Sequence, residues 1–141
     1  MTEFELEDQV IEVLLNFFSL PDNAGFLSGE VYKSGTRTLI EDEDVVVEVL
    51  SIDDEQWQTG LVSVKTYVND LNVGSPTSIP NTSRLGEISK KFEEMLKTKG
   101  SSYALTTEQF RVKVNSIRRE RKKDLNQHCV NCMLEFTICN F

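Results

Sequence analysis

Val45-Val46-Val47-Glu48-Val49-Leu50-Ser51-Ile52, followed across a polar link by Leu61-Val62-Ser63-Val64-Lys65-Thr66-Tyr67-Val68, decides the fold. The first run is apolar except at Glu48 and Ser51, and its four valines are β-branched and stiff at χ1. It reads as a central strand with both faces covered. In the second run Val62, Val64, Thr66 and Val68 alternate with Ser63, Lys65 and Tyr67, the period of a half-buried strand. Residues 53–59 are polar apart from Trp57, and Gly60 precedes the second strand. Two strands joined by a short polar link predict an antiparallel hairpin over about 45–69.

On the N-terminal side, Gly29 to Lys33 is a short strand candidate, and Ser34-Gly35-Thr36-Arg37 reads as a turn. Before it, Thr2 with Glu5 three residues later forms a capping box at the start of a helix over about 3–18. Leu6, Val10, Val13 and Phe17 make one apolar stripe, with Ile11, Leu14 and Phe18 beside it. Glu3, Glu5, Glu7 and Asp8 sit in the first turns, where the helix dipole favours acids. Pro21 and the Asp22-Asn23-Ala24-Gly25 turn stop the helix near Ser19.

On the C-terminal side, residues 70–82 hold two prolines, a glycine and many short polar side chains, which predicts a long loop. A helix follows over about 83–98, with Ser83 as its N-cap, an apolar face of Leu85, Ile88, Phe92, Met95 and Leu96, and Gly100 as its stop. Tyr103 to Leu105 is a short strand candidate. Phe110, Val112 and Val114 alternate with polar neighbours, as do Val130, Cys132, Leu134, Phe136 and Ile138. These predict a closing hairpin over about 107–140, turned by the basic block at 118–123. The expected class is α+β: a mostly antiparallel sheet with the N-terminal and central helices packed on one face.

The 141 residues suit one domain spanning 1–141, and a chain of this length buries roughly two-thirds of its unfolded surface without needing disulfides or metals. No apolar run approaches the ~20 residues needed to span a bilayer, and Met1-Thr2-Glu3-Phe4-Glu5 does not read as a secretion signal. Cys129, Cys132 and Cys139 are odd in number and clustered, which points to a reducing compartment. Without an export signal, the Asn81-Thr82-Ser83 acceptor pattern carries no weight.

Charge is split along the chain. Residues 1–70 hold 16 acids and 3 bases, and residues 71–141 hold 7 acids and 12 bases, within a net charge of −8. Glu41, Asp42, Glu43 and Asp44 form one acidic cluster and Asp53, Asp54 and Glu55 another. Arg118, Arg119, Arg121, Lys122 and Lys123 make the basic block. Such blocks read either as solvated loops or as the two ends of a bipolar protomer suited to head-to-tail association. The acidic total argues against a general nucleic-acid binder, although local contact of the basic block with phosphate stays open.

Catalytic patterns are not found. His128 is the one histidine, and the chain has neither a Gly-x-Ser-x-Gly elbow nor a phosphate-cradling glycine loop. His128-Cys129-Val130-Asn131-Cys132 is the only constellation with metal-ligand character. On a strand, however, residues three apart point to opposite faces, so Cys129 and Cys132 read as buried structural thiols. The expectation is no enzyme, no cofactor and no metal. Trp57 either folds over the sheet edge or anchors an interface.

Gly29-Glu-Val-Tyr-Lys-Ser34, then Glu43-Asp-Val-Val-Val-Glu-Val-Leu50, then Thr59-Gly-Leu-Val-Ser-Val-Lys-Thr-Tyr-Val-Asn-Asp-Leu71, resembles the tail-terminator and head-to-tail joining proteins of long-tailed bacteriophages. Residue-level likeness covers about 29–71, and the element order is similar along nearly the whole chain. The chain departs from the pattern in its basic final hairpin and its cysteine-bearing last strand. The resemblance implies a non-enzymatic virion subunit that passes through the host cytoplasm before assembly. It would form a ring, typically a hexamer, that caps the tail tube and presents a docking surface to head-connector proteins, with DNA passing through the lumen and no membrane involved. Under this reading Arg118, Arg119, Arg121, Lys122 and Lys123 meet a neighbour's Glu41 to Asp44 or Asp53 to Glu55, or else face DNA in the channel. Two alternatives stand beside it: a head-completion or tail-tube protein of the same particle, and a small nucleic-acid-associated module using the 118–123 hairpin.

Overall fold

Thr2 opens helix α1 (Glu3–Ser19) as the capping box predicts: its Oγ1 accepts from the Glu5 amide at 3.2 Å, and its carbonyl accepts from Leu6 at 3.1 Å. The helix ends where Pro21 requires. Asn23 folds back there, donating its side-chain amide to the Phe17 carbonyl at 3.1 Å, which satisfies one of the orphan acceptors of the last turn. In the computed structural model the described residues are 1–37, 42–53, 57–71, 79–96, 110–122 and 127–139. The strand candidate at 103–105, the helix end at 97–100 and the hairpin start at 107–109 lie outside them.

After α1 come β1 (Val31–Lys33), β2 (Val45–Ile52), β3 (Trp57–Asn69), α2 (Thr82–Leu96), β4 (Phe110–Lys122) and β5 (Gln127–Cys139). The five strands form one sheet in the order β1-β2-β3-β5-β4, antiparallel except for the parallel β1–β2 pair. The class is α+β, as expected from strands that outnumber helices and alternate. Both helices lie on one face, α1 over β1 and β2, and α2 over β3, β5 and β4.

The period of two sets this layering. Val62, Val64, Thr66 and Val68 of β3 pair with Leu134, Cys132, Val130 and His128 of β5 and all point to the helices. Leu6, Val10 and Leu14 of α1 and Leu85, Ile88, Phe92 and Met95 of α2 close over them, each no more than 4% exposed. Each such side chain contributes about 1.5–3 kcal/mol on burial. The other face carries Ser63, Lys65, Tyr67, Cys129, Asn131 and Met133.

Four expectations need correction. β2 is covered on one face only: Val45, Val47 and Val49 are buried while Glu48 and Leu50 are exposed, because both helices share the opposite side. β3 starts at Trp57 rather than after Gly60, since Trp57, Gln58 and Thr59 already pair with Cys139, Ile138 and Thr137. The cap of α2 is Asn81, not Ser83; its Oδ1 accepts from the Arg84 amide at 3.2 Å and its carbonyl from Leu85 at 3.0 Å. Finally, Arg118 to Lys122 is not a turn. It continues β4, paired with β5 as far as Lys122 opposite Gln127.

Candidate functional site

The acids at 42–44 hold the chain to itself. Asp44 has a side chain only 1% exposed; its Oδ2 accepts from Arg37 Nε at 2.8 Å and its Oδ1 from the Glu30 amide at 3.1 Å. Arg37 also donates to the Asp42 carbonyl and to Gln127 Oε1, each at 3.3 Å, and its guanidinium lies 4.3 Å from the centre of the Tyr67 ring. Arg37, and through it Asp44, is thus tied to Tyr67 on the helix-free face of β3 and to Gln127 of β5. Glu43 is gripped by Arg84 of α2 through both oxygens, at 2.6 and 2.8 Å, and Arg84 also donates to the Phe26 carbonyl. The side-chain bond to Glu43, ahead of the cost of burial, raises the pKa of Arg84. Asp53 Oδ1 accepts from the Thr59 amide at 3.1 Å and so closes the β2–β3 link. Glu41, Asp54, Glu55 and Lys123 lie outside the described residues, and Trp57 is placed by its backbone at the head of β3.

The bases are arranged differently. β4 is an edge strand with six bases and one acid, Glu120, which accepts from Asn131 at 2.8 Å. A bulge between Val114 and Ser116 takes Asn115 out of register, so that Ile117 turns back towards the core. Beyond it Arg119 and Arg121 pair with Val130 and His128 on the helix side, while Arg118 pairs with Asn131 on the open side. Among the described residues no ion pair engages Arg111, Lys113, Arg118, Arg119 or Arg121.

The counterpart that sequence reasoning missed is α1. It has five acids and no base, and it lies at the other end of the sheet, over β1. Asp8 reaches Lys33 of β1 at 2.7 Å, but among the described residues no ion pair engages Glu3, Glu5, Glu7 or Glu12. The pKa of Glu7 is raised, first by burial, with Asp8, Glu3 and Glu48 adding to it and Lys33 opposing it. The signal was legible: Glu12 lies in the third turn, beyond the reach of the helix dipole that accounts for the earlier acids. Among the described residues, α1 at one edge of the sheet thus carries four acids without an ion pair, and β4 at the other edge carries five bases without one.

Cys129 and Cys132 face opposite sides of β5, as strand geometry requires: Cys129 pairs with Tyr67 on the open face and Cys132 with Val64 under the helices. Burial pushes the Cys132 thiol up to about 12, so it stays protonated at neutral pH and is a poor nucleophile. His128 Nδ1 lies 2.7 Å from Asp70 Oδ1, both side chains being buried at the far end of β3 and β5. No helix among the described residues is long and apolar enough to cross a membrane. The chain matches no known family model, and no curated protein is similar to it.

Proposed function

We propose that the chain is a non-enzymatic structural subunit of a bacteriophage virion, closing into a ring, a hexamer by its resemblance, that caps the tail tube and joins tail to head. The observation that carries this reading is the pair of unlike sheet edges: among the described residues, Glu3, Glu5, Glu7 and Glu12 of α1 have no ion pair at one edge, and Arg111, Lys113, Arg118, Arg119 and Arg121 of β4 have none at the other. Two edges of opposite sign on one protomer suit a heterologous contact, in which each copy leaves one edge free for the next. The stretch that resembles the tail-terminator proteins forms β1, β2 and β3. These strands bring Glu43 and Asp44 into the contacts with Arg84 and Arg37 that stiffen the acidic end.

The test is electron microscopy of the purified chain, alone and mixed with tails that lack a terminator. Closed rings of one fixed copy number, seated at the tube end, are the expected result. A monomer that leaves tube ends bare overturns the reading. If that monomer binds duplex DNA with a steep salt dependence, the nucleic-acid module replaces it. The positions of Arg119 and Arg121 on one face and Arg118 on the other weigh against that alternative, because the bases wrap an edge instead of forming one face.

A further inference from the structure

We infer that the edge of β4 in one copy docks alongside β1 of a second copy, continuing the sheet through the contact and setting Arg119 and Arg121 against Asp8 and Glu12 of the neighbour's α1. The inference rests on the ring reading to the extent that both need copies to meet. It goes further in naming the two surfaces and the residues.

Face parity carries it. Arg119 and Arg121 lie on the helix side of β4, since they pair with Val130 and His128. On the same side α1 lies over β1, tied to it by Asp8 and Lys33. Laying β4 beside β1 therefore brings the two arginines next to α1, where Asp8 and Glu12 stand one helical turn apart and exposed. Among the described residues Glu12 has no ion pair, and Asp8 is able to share its carboxylate between Lys33 and an arginine. Arg118 goes to the opposite face, towards Glu48, which is exposed there on β2. No like-with-like contact has this match: β1 against β1 sets acid on acid, and β4 against β4 sets base on base.

The acidic edge also offers apolar surface. Phe4, Ile11 and Leu15 share a helical stripe with Asp8, which reaches Lys33 of β1, and Phe4 is 74% and Leu15 52% exposed. Leu15 and Val31 line an open cleft of about 400 Å³ beside β1. The aliphatic stems of arginine suit such a surface while their heads reach the acids. Because β1 is three residues long, backbone pairing across the contact is short and charge carries most of the specificity.

The experiment uses the full chain and measures oligomer mass by sedimentation across protein and salt concentration. Two variants are compared with wild type: Arg119→Glu with Arg121→Glu, and Asp8→Lys with Glu12→Lys. All four positions are exposed, and far-UV circular dichroism checks that each variant is folded. Wild type is expected to assemble and to weaken with salt. Each variant alone should associate at least tenfold more weakly, and an equimolar mixture should regain assembly, since each reversed edge then meets an opposite charge. If wild type assembles and neither reversal matters, the named interface is overturned and the ring reading stands. If wild type forms open filaments that both reversals abolish, the interface stands and the ring reading falls. A wild-type chain that stays monomeric at every concentration overturns the named interface, and the ring reading then falls only if that monomer also leaves tube ends bare.

Discussion

Thr66 shows how closely the core is filled and where it is imperfect. It is fully buried between Val45 and Val130, and among the described residues its hydroxyl finds no hydrogen-bond partner. An unpaired buried hydroxyl costs about 1–3 kcal/mol, and valine has nearly the same shape. Thr66→Val should therefore raise stability by about 1 kcal/mol, read as a higher urea midpoint with an unchanged slope. Gly29 is the opposite case, a residue whose smallness is used. A Cβ there would collide with the Asp44 carboxylate and come within 2.6 Å of the Glu43 carbonyl, so glycine lets the start of β1 lie against the acidic turn. Sequence left Glu43 and Asp44 either as part of a solvated acidic loop or as part of an interface patch. Their partners Arg84 and Arg37 are brought in by tertiary packing, which no local pattern displays.

At the scale of elements, α1 concentrates charge in a way that can be titrated. Glu7 binds its proton more tightly folded than unfolded, because burial and the neighbouring carboxylates oppose ionisation. Stability present below its ordinary value of 4.5 is therefore lost as pH rises through the raised folded value. Glu7→Gln should be slightly more stable than wild type at pH 7, an effect kept small by solvent screening, and the two should converge at pH 4; urea unfolding at both pH values checks this. The elements themselves were largely legible: the stripe of α1, the valines of β2 and the alternation of β3 and β5 each record a one-sided burial with its own period. What escaped was set by neighbours. The exposed side of β2 follows from both helices choosing one face, and the length of β4 depends on the bulge at Asn115, which resets the alternation that the basic residues seemed to break. The cap at Asn81 was hidden because Asn81, Thr82 and Ser83 are all plausible caps by type.

For the whole molecule, strand order turns a division along the chain into a division across space. β5 inserts between β3 and β4, which sends the basic strand to one edge while β1 and α1 occupy the other. Sequence displayed the unlike halves but not this order, which depends on pairings between residues far apart, such as Tyr67 with Cys129. The contacts of Arg37 carry a consequence in time. Its guanidinium stacks on Tyr67 of β3 and donates to Gln127 of β5, so its set of contacts is complete only once those two strands lie side by side. We expect that set to be completed late in folding and lost early in unfolding. Arg37→Met strands Asp44 without its cation, a loss of about 3 kcal/mol that should fall almost wholly on the unfolding limb of the chevron. Stopped-flow kinetics should show unfolding about a hundredfold faster with refolding nearly unchanged. That outcome would make the arginine a latch, which sets how long a finished molecule lasts and leaves the speed of its making alone.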